Sequence, residues 1–210
     1  RGGAVAARDF RDALHAADFA ILCLPDAAAR EAVALAAGAT TRFIDASTAH
    51  RTAADWAYGF AELNSGQRDA IAAAQYVSNP GCYSTGFIAL VAPLVARGLL
   101  PADAGYSCNA VSGYSGGGKE LIARFESDRS LAWRGYALTL AHKHVPEMQA
   151  HCGLTHRPLF VPAVVPAYRG MIVEVPLMRA TDQRIAPPDE LLGALRDHYA
   201  GSSIVAVGGL

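Results

Sequence analysis

Two short apolar runs with a helical stretch between them constrain this chain most. Residues 18–24 read as a buried strand, Pro25 and Asp26 open a helix of about 27–37, and Gly38 closes it. Thr41-Arg42-Phe43-Ile44-Asp45-Ala46 reads as a second strand. Strand, helix and strand joined by links this short form a crossover unit, so the two strands run parallel. Asn64-Ser65-Gly66 interrupts the chain before a helix of about 67–74, and Tyr76-Val77-Ser78 adds a further short strand. To this point the pattern is that of a doubly wound α/β layer.

The texture changes near Cys82. The apolar stretch after it reads as a buried helix to about Arg97, kinked at Pro93 and stopped by Gly98 and Pro101. Residues 105–111 predict a strand, 112–119 a glycine-rich loop, and Glu120 to Phe125 the start of a helix. A strand is expected over 136–142, with a helix starting at Pro146. Residues 159–165 and 171–176 are expected as strands of a mixed sheet, 189–199 as a helix and 204–207 as a last strand. The expected division is 1–82 and 83–210, the second part an α+β substrate domain. Binding sites favour such junctions, where loops meet.

The 210 residues carry a formal net charge of −1. That balance gives no general attraction to nucleic acid or anionic membrane. No apolar run approaches the roughly 20 residues of a membrane span, and no secretory signal pattern opens the chain. Cys23, Cys82, Cys108 and Cys152 are scattered, with no CxxC pair. Cys23 and Cys108 sit in runs that read as buried strands. A reducing, cytoplasmic setting follows.

Chemistry concentrates in four places. Cys82, in Ser78-Asn79-Pro80-Gly81-Cys82-Tyr83, precedes the buried helix. Unpaired N–H groups and the positive dipole end at a helix start favour a thiolate, the form that attacks electrophilic carbon. The alternative is a packing cysteine. His142 and His144, two apart on the expected strand, would share a face and handle protons near a thiol. The same pair, with His151, Cys152 and His156, raises a zinc site, though the spacing is not a standard one. In Ser112-Gly113-Tyr114-Ser115-Gly116-Gly117-Gly118-Lys119, backbone N–H groups could converge on an anion, or the glycines could form a plain flexible connection between strand and helix. Glu120 stands where a Walker loop needs Ser or Thr. Arg51, beyond the end of a parallel strand, suits a phosphate or carboxylate, and Arg124, Arg129, Arg134 and Arg169 are weaker anion candidates.

Together these pieces resemble the N-acetyl-gamma-glutamyl-phosphate reductase family in its shorter, type 2 form. The carrying segments are Ile44 to Arg51 with Tyr58 to Leu63, Ser78 to Tyr83, Val111 to Lys119, and His142-Lys143-His144-Val145-Pro146-Glu147. The resemblance implies a truncated Rossmann-like parallel sheet and a cytoplasmic homo-oligomer. It also implies NADPH-dependent reduction of an acyl phosphate, in arginine biosynthesis, through a Cys82 thioester. By resemblance His144 is the acid/base and His142 a second proton-handling or substrate group. Ser112, Asn79 and Arg51 would bind substrate; Gly113, Ser115 and Gly116 would lie against NADP. Gly2 and Gly3 have no strand before them to form the family's phosphate-binding turn, and the family's Asn- and Gly-rich C-terminal segment is not found. Both ends are therefore expected to be truncated, with weak NADP binding by these residues alone. Ser84 stands where many relatives carry Pro. Aspartate-semialdehyde dehydrogenase is the nearest relative in chemistry. A nucleotide-independent cysteine acyltransferase or hydrolase, a zinc hydrolase and an inactive remnant compete as readings.

Overall fold

The computed structural model describes residues 7–209, in two compact units, Arg1–Gly81 and Cys82–Leu210. Gly2 and Gly3 lie outside the described residues. The first unit runs α1 (Ala7–Ala16), β1 (Phe19–Leu22), α2 (Asp26–Leu35), β2 (Arg42–Asp45), β3 (Ala57–Tyr58), α3 (Gln67–Ala73) and β4 (Tyr76–Ser78). Its strands lie in the order β1-β2-β4-β3, and every pairing is parallel. Gly38, at φ +84, supplies the left-handed residue that ends the α2 segment. Ala29 and Ala32 of α2 are fully buried in a core with Leu14, Leu22, Phe43 and Trp56, their small side chains allowing close approach. Phe19 and Ile21 of β1, the outermost strand, remain exposed.

Cys23 departs from expectation. The strand ends at Leu22, and Cys23 is exposed in the link to α2. Pro25 and Asp26 turn the chain into the helix immediately after it, so the apolar run outlasts the hydrogen-bonded strand.

The second unit runs α4 (Cys82–Ala96), β5 (Ser107–Gly113), a 3-10 turn over Tyr114–Gly117, α5 (Gly118–Ser127), β6 (Arg134–Gly135), α6 (Val145–His151), β7 (Leu159–Val165), β8 (Met171–Glu174) and α7 (Pro188–His198). The sheet order is β6-β7-β5-β8: β5 and β7 are parallel, and the outer pairings antiparallel. The mixed sheet is therefore present. The expected strand over 136–142 is not. Ala137 and Leu140 take left-handed backbone angles, φ 55 and 59, which no strand accommodates. Nor is there a strand at 204–207, where Ser202 Oγ accepts hydrogen bonds from the N–H groups of Ile204 and Val205 and holds a local turn instead. Strand β5 includes Ser112 and Gly113, and α5 begins at Gly118, so the glycine loop is shorter than expected.

Helix α4 carries no charged residue and buries Tyr83, Ser84, Phe87, Ile88, Val91, Ala92, Pro93 and Leu94. A helix apolar on every side has to be enclosed. It lies on the sheet face that carries Cys108, Ala110, Phe160 and Val173. A Cβ on Gly86 would come within 2.8 Å of Val173 Cγ2, so glycine sets the approach. The opposite face of the sheet, with Leu159, Val161 and Ile172, is exposed.

Pro93 sits inside α4 and offers no N–H to the carbonyl of Ala89, one turn earlier. Tyr199, just past α7, supplies the missing donor: its hydroxyl bonds Ala89 O at 2.7 Å. Tyr199→Phe leaves that carbonyl without its replacement. The variant should lose about 1–3 kcal/mol in urea unfolding; unchanged stability would mean that the carbonyl is satisfied another way.

Candidate active site

Burial sorts the four cysteines. Cys108 and Cys152 are buried, and desolvation pushes the Cys108 thiol up to about 12 and the Cys152 thiol higher still. Neither is a nucleophile at neutral pH. Cys23 and Cys82 are exposed. Of these only Cys82 begins a helix, as the first residue of α4, where backbone N–H groups lack intrahelical partners.

The residues after Cys82 tie it to the histidines. Tyr83 places its ring 5.9 Å from the His144 ring and 5.2 Å from Phe160. Ser84, wholly buried, donates to the backbone carbonyl of His144 at 3.4 Å. His144 occupies the residue before α6 without a side-chain capping bond, and is itself buried. The His142 ring meets it at 4.7 Å, nearly perpendicular. The two imidazoles therefore do come together, but not through strand alternation. A turn brings them together, with His142 Nδ1 accepting from the backbone N–H of His144 at 3.2 Å. That bond leaves the proton of the neutral ring on Nε2. Burial, the largest cause, and the charge of Lys143 hold the His142 pKa below its ordinary value, against the pull of Glu147. Glu147 is buried in the first turn of α6.

Ser112, at the end of β5, accepts a hydrogen bond from the Tyr83 hydroxyl at 2.6 Å. Sequence reasoning singles out Ser112 but passes over Tyr83 and Tyr136. The only signal for them is that a phenol next to a candidate nucleophile needs a partner once buried.

In the glycine turn, three of the N–H groups that could meet an anion are already bonded. The N–H groups of Gly113, Tyr114 and Ser115 donate to the carbonyls of Gly170, Ala167 and Tyr168, each at 2.9 Å. Gly113 is required by that approach: a Cβ there would stand 2.7 Å from Ala167 O and from backbone atoms of Arg169. Beside Gly116, by contrast, a Cβ would meet nothing within 4 Å. The zinc reading finds no support: among the described residues no three His, Cys, Asp or Glu side chains are gathered as a metal site.

In the first unit, Arg51 and Asn79 both follow the carboxyl ends of parallel strands. Asn79 is exposed, and its N–H donates to Asp45 O at 2.7 Å. Arg51 is not the exposed loop arginine its surroundings suggest; it is buried and donates to Ala46 O at 3.2 Å. The turn that carries it is pinned by Asp45, fully buried, which accepts from Ser47 N–H (2.9 Å), Ser47 Oγ (2.7 Å) and His50 Nδ1 (2.6 Å). His50 stacks flat on Trp56 at 4.0 Å. Arg124, Arg129 and Arg169 are exposed, and Arg134 is half-buried.

Residues 82–209 match the semialdehyde dehydrogenase dimerisation domain, and residues 4–74 the semialdehyde dehydrogenase NAD binding domain. The chain belongs to the semialdehyde dehydrogenase family. It is 55% identical over 208 residues to the N-acetyl-gamma-glutamyl-phosphate reductases of Brucella ovis and Brucella suis, covering 95% of this chain and 67% of theirs. Within the semialdehyde dehydrogenases it is thus an oxidoreductase homologous to the arginine-biosynthesis reductase. The fold matches solved structures of aspartate semialdehyde dehydrogenase II from Vibrio cholerae (TM-score 0.65, 15% identity, 88% of this chain and 61% of that one) and of the Francisella tularensis enzyme (0.61, 14%, 90% and 65%). The chain thus spans less than two thirds of those dehydrogenases. Among the described residues no helix is long and apolar enough to cross a membrane.

Burial dictates which thiols react. Iodoacetamide should label Cys82 and Cys23 in the native protein and reach Cys108 and Cys152 only in denaturant, as read by peptide mass spectrometry. Native labelling of Cys108 before Cys82 would contradict this assignment.

Proposed function

We propose that this chain reduces N-acetyl-glutamyl 5-phosphate to N-acetyl-glutamate 5-semialdehyde, with NADP as its nucleotide and Cys82 as its nucleophile. The observation that carries this reading is Cys82 at the mouth of a buried helix whose first turn contacts His144. The Cys82 sulfur attacks the acyl carbon; a C–S bond forms, the C–O bond to phosphate breaks, and phosphate leaves with the bonding pair. Arg51 and Asn79 hold the phosphoryl oxygens through charged and amide donors. His144 acts as acid and base on the carbonyl oxygen and on the sulfur. His142, held neutral by burial, offers its Nε2 proton to a substrate oxygen. NADPH, when bound, supplies the hydride that converts the Cys82 thioester to a thiohemiacetal, which collapses to aldehyde and free thiolate. Gly113, Ser115 and Gly116 would lie against it, and nothing blocks approach beside the exposed Gly116.

The test is a chimera in which a Brucella reductase supplies the regions that this chain does not span. NADPH consumption with the acyl phosphate should fall about 10³-fold or more in Cys82→Ser. In His144→Asn it should fall about 10²–10⁴-fold. Turnover that survives Cys82→Ser, or phosphate release that never consumes NADPH, would replace this reading with a hydrolase or acyltransferase.

The second unit's exposed sheet face, with Leu159, Val161 and Ile172, supports a homo-oligomer in which a second copy covers it. Val161→Glu should shift the protein to a smaller species in sedimentation velocity. A monomeric wild type, or a variant that assembles normally, would remove this face from the interface.

A further inference from the structure

Three hydroxyl groups stand in series next to Cys82. Tyr136, just beyond β6, hydrogen-bonds through its phenol to Tyr83. Tyr83 in turn donates to Ser112 Oγ at 2.6 Å, while its other contact, the Ala163 carbonyl, is a longer 3.4 Å away. Both rings are fixed. Tyr83 packs on Phe160 and His144, and Tyr136 packs on His142 at 5.7 Å, with its N–H bonded to Pro162 O at 3.2 Å. Desolvation by burial, the largest cause, and the hydrogen bond to Tyr83 hold the Tyr136 phenol above its ordinary range; because the one Tyr83 proton goes to Ser112, Tyr136 is the donor of its pair.

A hydroxyl has one proton to give. With Tyr136 donating to Tyr83 and Tyr83 donating to Ser112, the Ser112 oxygen is an acceptor within the chain, and its own proton must point out of it. We infer that Tyr136 and Tyr83 are positioning residues that act through Ser112, fixing its hydroxyl as a donor to an acceptor-only oxygen of the bound acyl phosphate. Left unpolarised, Ser112 could turn to accept as readily as to donate. The chain excludes that orientation, and so favours carbonyl, carboxylate or phosphoryl oxygens over hydroxyl or amine groups. This inference rests on the proposed reading of Ser112 as a substrate group.

The acylation half-reaction tests it without nucleotide: release of inorganic phosphate from N-acetyl-glutamyl 5-phosphate, one per Cys82, followed against substrate concentration. Ser112→Ala should raise the half-saturating concentration about 5- to 30-fold, as expected for one lost hydrogen bond to substrate. Ser112→Thr keeps the donor and should recover most of it. Tyr83→Phe and Tyr136→Phe should each raise it about 3- to 10-fold in the wild-type background. In the Ser112→Ala background they should change nothing further, because their effect passes through that hydroxyl. Tyrosine effects that multiply with Ser112→Ala, or are absent while Ser112→Ala is impaired, overturn the hydroxyl chain alone. An unaffected Ser112→Ala overturns the reading of Ser112 and the chain with it, and a wild type that releases no phosphate overturns the proposed function. Tyr136→Phe, the mildest change, carries the test if Tyr83→Phe fails to fold.

Discussion

The burial of α4 governs the second unit. A fifteen-residue helix without a charge cannot face water, so the sheet, α6 and α7 pack against it. Each local oddity of the helix is then answered by a neighbour. Gly86 lets Val173 approach, Tyr199 bonds the carbonyl that Pro93 leaves open, and Ser84 reaches the backbone of His144. The helix buries most of its length and exposes its first residue. Leu90 and Ala96 are its other exposed positions, but only Cys82 carries a thiol at the helix start.

The first unit answers a different demand. A carboxylate as buried as Asp45 is costly unless its oxygens find donors. Ser47 and His50 supply them, from positions two and five residues on. The turn that follows β2 is thereby wound around its own strand end. Asp26 and Arg30 of α2 bond Thr48 and Ala49 of the same turn. Arg51 is thus held in a rigid turn, buried and bonded to the Ala46 carbonyl.

Most of this architecture was legible in the sequence. The apolar runs and their Gly and Pro punctuation marked β1, α2, β2, α4, β7 and α7 to within a few residues, because those signals act locally. The parallel pairing followed from the crossover rule. What failed turned on local backbone geometry that alternation hides, as at 204–207 where Ser202 holds a turn, or on side-chain partners distant in sequence. Tyr136-Ala137-Leu138-Thr139-Leu140-Ala141-His142 alternates like a strand, yet two left-handed residues break it, at roughly 1–2 kcal/mol each. The site's residue types were also legible around Cys82 and the histidines, whereas their mode of assembly was not. Tyr83 escaped notice because its role lies in a bond to Ser112, twenty-nine positions away.

The glycine turn shows how glycines alone leave two readings open, an anion cradle and a plain connection between strand and helix. Glycines in series suggest N–H groups free to grip an anion. Here three consecutive N–H groups are already bonded to carbonyls of residues 167–170. Glycine at 113 is required by that backbone contact, not by a ligand. The start of the turn is therefore fixed by backbone contacts, while Gly116 is exposed. A hydroxyl such as that of Ser112 discriminates only when its proton has one direction to take. A rigid turn on one side and a tyrosine on the other provide that direction.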